Sequence, residues 1–151
     1  MNPVSIESVA DRLAIMETIS RYGHALDFMD RDALADCFTE DAVNKGFTEE
    51  HHDYGPIKGR QNIVDGIMGR MDHQFEGTKD LALQPRHCIT NFKFDELTDN
   101  SAQVTSMLVA PASENHSTRM YGAGWYLHKL EKSDGVWRIS HLEWHLDLPV
   151  S

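Results

Sequence analysis

Residues 120–146 read MYGAGWYLHKLEKSDGVWRISHLEWHL, and the organisation of the chain follows from this stretch. Apolar and polar residues alternate over Met120–Glu131 and again over Val136–Leu146, with Asp134-Gly135 between them. An Asp-Gly pair supplies the positive-φ residues of a tight turn, so the stretch reads as a β-hairpin. With Lys132–Gly135 as the turn, residues 131 and 136 pair. Tyr126 then faces His141, Gly124 faces Glu143, Gly122 faces His145 and Leu130 faces Trp137. One face carries Trp137, Ile139 and Leu130 with Tyr126, His128 and His141. The other carries Ser140, Leu142, Trp144 and Leu146.

Two further alternating segments precede the hairpin, Arg86–Phe94 and Ala102–Ala112, while the N-terminal half has a different period. Ile15, Ile19, Tyr22 and Leu26 recur at helical spacing within Val9–Asp27, with Ser8 as a plausible N-cap. A second short helix follows, capped by Asp30 or Asp32, with Ala33, Leu34, Cys37 and Phe38 on its apolar side. A strand starts at Ala42-Val43. The polar segment Gly46–Gly59, holding His51, His52, Asp53 and Tyr54, reads as a loop, with Ile57-Lys58-Gly59 as a short returning strand. A third helix opens at Arg60 or Gln61, and Asp72–Gln84 is a polar connection. The order helix–helix–hairpin–helix–antiparallel strands is α+β. A curved sheet wrapped around the N-terminal helices makes a cone with one internal pocket, in a single domain covering residues 1–151.

Composition excludes several functions. Fourteen Lys and Arg against 24 Asp and Glu give a net charge of −10. Nucleic-acid affinity comes mainly from cations neutralising phosphates, so no nucleic-acid partner is expected. No apolar run approaches the roughly 20 residues of a membrane span, and Met1–Ala10 has no secretory character. Cys37 and Cys88 are too few for a disulfide framework and read as buried small apolar residues in a reducing cytoplasm.

In Arg86–Phe94, period two places His87, Ile89 and Asn91 on one face, and Cys88, Thr90, Phe92 and Phe94 on the other. His87 reads either as a core histidine held by one hydrogen bond or as a general base. The base needs a carboxylate to fix its tautomer. Asp27, at the edge of the first helix's stripe, is the candidate. A carboxylate at a helix C-terminus opposes the helix dipole, and a charged histidine would compensate for it. His141-x-Glu143-x-His145 has ligand chemistry, but same-face neighbours stand about 6.6–7 Å apart along a strand, so convergence on one ion is strained and no metal is expected. Gly122-x-Gly124 lacks the rest of a dinucleotide fingerprint.

The segments around Arg21-Tyr-Gly-His-Ala-Leu-Asp27, Arg86-His-Cys-Ile-Thr-Asn91 and Gly124-Trp-Tyr126…Ser133-Asp-Gly-Val-Trp-Arg-Ile139 are similar to the SnoaL-like branch of the nuclear transport factor 2-like superfamily. The resemblance runs from about Asp11 to Leu142 and implies the cystatin-like α+β barrel. Its enzymes, among them scytalone dehydratase and hexachlorocyclohexane dehydrochlorinase, eliminate water or HCl without a cofactor, using an Asp on the first helix and a His on the strand. Matched residue by residue, these are Asp27 and His87, with Tyr22 and Tyr126 at pocket-lining positions. The second histidine of scytalone dehydratase falls on Ala112 or Ser113, and its hydrogen-bonding tyrosines fall near Leu26 and Gly46.

The expectation is therefore a cofactor-independent, dehydratase-like lyase acting on a small apolar cyclic or aromatic substrate. Catalysis would fall to Asp27 and His87, and substrate binding to Tyr22, Tyr126, His141 and Tyr54. His116, Tyr54 or His141 would supply the missing donor, and whether His51, His52 or His116 reach the pocket is open. Aldol-type cleavage or isomerisation by the same pair is the alternative chemistry, and a non-catalytic small-molecule-binding or assembly module the alternative class. The resemblance also implies a homotrimer, with a dimer second. An apolar face of Cys88, Thr90, Phe92, Leu142 and Trp144 points the same way.

Overall fold

The computed structural model describes residues 4–48, 54–76 and 83–147, the side chains of 72–76 excepted. Helix α1 (Ile6–Asp27) starts from Ser5, whose side chain accepts from the Ser8 backbone while Ser8 reciprocates. The N-cap is thus Ser5, and Ser8 closes the capping box three residues in. Helix α2 (Arg31–Asp36) is capped by Asp30, which accepts from the Ala33 N–H at 2.9 Å. Strands β1 (Phe38–Thr48) and β2 (Tyr54–Lys58) precede helix α3 (Arg60–Glu76). Then come β3 (Gln84–Pro85), β4 (Cys88–Leu97), β5 (Ser101–Glu114), β6 (Ser117–Ser133) and β7 (Val136–Leu146). Several segments read as polar connection are therefore regular. β1 begins at Phe38 and runs on to Thr48, and α3 extends to Glu76. His51, His52 and Asp53 lie outside the described residues.

The sheet runs β2-β1-β7-β6-β5, with β3 and β4 both paired to β5. Among the described residues, only the β1–β7 pair is parallel. This curled mixed sheet forms a half-barrel, and α1 crosses its concave face. At one end Asp11 accepts from Lys132 Nζ and Trp137 Nε1, both at 2.8 Å, pinning the helix to the β6–β7 hairpin. Thr18 Oγ1 donates to the Trp137 carbonyl at mid-helix. The stripe Ile15, Ile19, Tyr22 and Leu26 is buried as its spacing predicts, against Phe38, Leu130, Ile139 and Leu142.

Register departs from the sequence reading. The β6–β7 turn has two residues, Asp134 and Gly135, both at positive φ, so Ser133 pairs with Val136 and Leu130 with Ile139. One residue, Ser140, is then extra, and Lys129 pairs with His141. A single-residue bulge reverses which side chains face the core. Beyond it Leu142, Trp144 and Leu146 face inward with Tyr126 and His128, while His141, Glu143 and His145 face outward. Gly124 pairs with Leu146, not Glu143, and Tyr126 with Trp144, not His141.

Strand β4 shows the same effect at Asn91, whose φ is +53° and where the β4–β5 register shifts. Phe92 and Phe94 consequently pack against the core with Ile89. The supposed outer apolar face of Phe92, Leu142 and Trp144 is therefore interior. Cys37 is buried, its thiol pushed up to about 11 by desolvation, but Cys88 points outward from an edge strand and is exposed.

Among the described residues no helix is long and apolar enough to cross a membrane.

Candidate active site

Asp27 is the last residue of α1, where the unsatisfied helix carbonyls make a carboxylate unfavourable. The segment entering β4 supplies the compensation. The His87 backbone N–H donates to Asp27 Oδ2 at 2.9 Å, and His87 Nδ1 lies 2.6 Å from Oδ1. Gln84 Nε2 donates to the Asp27 carbonyl at 3.2 Å, and the Arg86 guanidinium lies over Phe28. The strand therefore clasps the end of the helix from three residues. Gly23 permits the approach: a Cβ there would stand 3.3 Å from Ile89 Cδ1 and 3.4 Å from the His87 carbonyl oxygen.

The tautomer follows from the contact. An ionised carboxylate only accepts, so the short bond places the proton on Nδ1 and leaves the Nε2 lone pair free in the neutral ring. Side-chain exposure is 9% for Asp27 and 18% for His87, so the pair is largely shielded yet reachable.

Tyr22 and Tyr126 stand beside this pair. Their rings meet edge to face at 6.0 Å, and each phenol influences the other's ionisation. Burial pushes both phenols well above their ordinary range, and Asp27 adds to this at Tyr126. Both therefore stay protonated. A protonated phenol can donate its O–H to a third group.

The other sequence candidates separate. His141 is on the convex face, its Nε2 2.9 Å from Glu143 Oε1, with His145 Nε2 3.3 Å from Oε2 of the same carboxylate. Burial raises the Glu143 carboxyl, but the two imidazoles outweigh it and hold the group below its ordinary value. Glu143 thus engages the Nε2 of each of the two rings on the far side of the sheet from Asp27. His116 sits exposed in the tight turn between β5 and β6 with φ of +63°. Tyr54 alone of the three donors proposed touches an inward-facing residue: it is 43% exposed, with its ring 5.5 Å from that of Trp144.

Four interior residues were not recognised from sequence. Trp144 lies over Gly46, so closely that a Cβ there would fall 1.8 Å from a ring carbon. Arg70 of α3 reaches over the Trp144 and Tyr54 rings. Asn44 Oδ1 and Thr48 Oγ1, on the inward side of β1, are buried and without hydrogen-bond partners among the described residues. Arg70 carried a readable signal: it follows Ile63 and Ile67 at heptad spacing, so a cation stands on the apolar stripe of α3.

A family model described as the SnoaL-like domain matches residues 7–143. None of the curated proteins matches the chain by sequence. Among solved structures, a cystatin-like protein of unknown function from Nostoc punctiforme superposes with a TM-score of 0.76 at 23% identity, covering 95% of this chain and 97% of that one. A hexachlorocyclohexane dehydrochlorinase from Novosphingobium barchaimii gives 0.70 at 19% identity, covering 93% and 89%. A candidate scytalone dehydratase from Novosphingobium aromaticivorans gives 0.68 at 20% identity, covering 93% and 87%. At these identities the likeness is one of fold.

Proposed function

The chain belongs to the SnoaL-like domain family, and from that premise we propose that it is a cofactor-independent lyase of the dehydratase type acting on a small, largely apolar, cyclic or aromatic substrate. The 2.6 Å contact between His87 Nδ1 and Asp27 Oδ1 carries this reading. His87 Nε2 removes a proton from an activated carbon, and Asp27 stabilises the imidazolium that results. A protonated phenol of Tyr22 or Tyr126 donates to the departing hydroxyl or to the oxygen on which charge develops. Such a donor gains strength in a site that excludes water. The dehydrochlorinase and the candidate dehydratase of similar fold are consistent with elimination chemistry.

The same base, taking a hydroxyl proton instead, would serve aldol-type cleavage or isomerisation. Product analysis by NMR and mass spectrometry over a panel of cyclic ketones carrying an exocyclic β-hydroxyalkyl group separates the three. Elimination yields an alkene and water, isomerisation a product of equal mass, and cleavage two carbon fragments. A specific observation favours a second class of reading: the His87 main-chain N–H bonds the same carboxylate, a contact that fastens helix to strand without any chemistry. A panel returned unchanged after binding would select this binding-module reading and sink the lyase.

We further propose that the chain forms a homotrimer, with a dimer second. The convex face exposes Met107, Val109 and Met120 beside half-buried Trp125, Leu127 and Phe47, and a second copy would cover them. Light scattering at micromolar concentration should give three subunit masses. One subunit mass would remove the idea.

A further inference from the structure

A half-buried cation on α3, which the Asp27–His87 pair does not use, lies at the edge of the interior. The Arg70 guanidinium carbon lies 5.4 Å from the Trp144 ring centroid and 5.8 Å from that of Tyr54. Aromatic faces hold a guanidinium in place without neutralising it, and they leave its N–H edge free for an acceptor. Among the described residues no carboxylate lies within ion-pair distance of it. Its positive charge extends to the Tyr22 phenol, beside the His87 base.

A second, independent observation points to the same region. Asn44 is 2% exposed, and its Oδ1 has no hydrogen-bond partner among the described residues. Thr48 Oγ1 is in the same condition. Both residues flank Gly46 on β1, and Gly46 is covered by the Trp144 ring that Arg70 overlies. A buried polar group left unpaired is destabilising, and a ligand that pairs it recovers that cost. The Trp144 ring thus joins the acceptor-seeking cation to the β1 segment that carries these polar side chains.

We propose that Arg70 is the anion-recognising group of this interior, and that the substrate is a planar cyclic carbonyl compound whose oxygen becomes anionic at the guanidinium edge, with Asn44 and Thr48 bonding its remaining polar atoms. The proposal rests on the reading of His87 as a base and supplies what that base requires. The C–H bond next to the carbonyl breaks and its proton goes to His87 Nε2. The electron pair forms a carbon–carbon double bond, and the carbonyl π pair moves onto oxygen. The resulting enolate is negative at one atom, and Arg70 stabilises it there. A carbon acid lacking that oxygen would gain nothing from the cation.

The test needs no turnover. 2-Naphthol is a planar bicycle whose hydroxyl, once ionised, imitates an enolate, and its absorbance distinguishes the two forms. Titrated with probe bound, the wild-type protein should lower the naphthol ionisation midpoint by about one to two pH units, the size expected for an adjacent opposite charge. Arg70→Gln should abolish the shift and weaken naphtholate binding by about 10–100-fold, with naphthalene binding unchanged, whereas Arg70→Lys should retain part of it. An equal midpoint in wild type and Arg70→Gln would overturn the proposal. So would naphthalene binding as tightly as naphtholate, or failure of both to bind. His87→Gln should leave the naphtholate shift in place. If that variant also keeps full turnover of a substrate, the base reading fails while the anion site stands.

Discussion

Replacing His87 with Gln should lower kcat by about 10²–10⁴-fold on any substrate the wild-type protein turns over, the range that a positioned general base contributes. The amide side chain fits the same space but cannot accept a proton from carbon. The fold should survive, because the bond from the residue 87 backbone N–H to Asp27 Oδ2 does not depend on the side chain. Asp27→Ala, by contrast, removes the acceptor of both the backbone and the ring bonds and leaves the clasp undone. The informative comparison is therefore between His87→Gln and wild type at matched circular dichroism, with kcat and KM measured separately. A loss confined to KM would mean that His87 only binds substrate. Unchanged kcat would exclude it as the base and leave the Asp27–His87 contact as a helix-to-strand fastener.

Acidification should destabilise the protein through a different histidine. His128 projects from the concave side of β6 between Tyr126 and Leu130 and is fully buried. Its Nε2 lies 3.1 Å from Ser106 Oγ, and its Nδ1 has no partner among the described residues. Burial alone pushes its pKa down to about 3, against 6.5 ordinarily. Between those values the unfolded chain binds a proton that the folded chain refuses. Stability is thus fully present above pH 6.5 and falls as pH drops toward about 3, by up to about 1.4 kcal/mol per pH unit. The sum reaches several kcal/mol, a large part of the roughly 5–15 kcal/mol that hold a domain together.

His128→Gln keeps a hydrogen-bonding partner for Ser106 without the titration. Urea unfolding at pH 7, 6 and 5 should therefore show wild type losing about 2 kcal/mol more than the variant across that window, in which carboxylates scarcely titrate. Parallel losses in the two proteins would show that the His128 site admits the proton, with the ring hydrated or mobile. Asp11 and Asp36 act lower in pH. Their hydrogen bonds to Lys132 and Trp137, and to Arg138 and Arg21, hold them below the ordinary carboxylate range, so their stabilisation is lost only as pH falls through those depressed values.

Much of the architecture was legible because it rests on local period. Ile15, Ile19, Tyr22 and Leu26 repeat at the helix spacing and are all buried. Asp134-Gly135 adopts the positive φ that its turn requires. The Asp27–His87 pair was legible in a weaker sense. A carboxylate at a helix C-terminus and a histidine entering a strand each need a partner, but their juxtaposition depends on how helix and sheet pack. Tyr22 and Tyr126 fall beside the pair for the same reason as the core residues, since each occupies an inward position of its element. Arg70 was missed because an arginine on an apolar stripe reads as a snorkelling surface residue unless the aromatic rings that receive it are known.

The sequence by itself determined the principal helices and strands, their order and the α+β class, since helix and strand periods are properties of consecutive residues, while β3 and the full reach of β1 and α3 came only with the structure. The tertiary structure alone decided which face of each strand looks inward. Strand parity survives only until an extra residue is inserted, and Ser140 and Asn91 mark two such places. A bulge is a relation between a strand and its neighbours, set by the partners β7 must match on both sides and by the curl of the sheet. No pattern within β7 announces it. For that reason Trp144 came inside, His141 went out, and a cation on α3 acquired two rings to rest on.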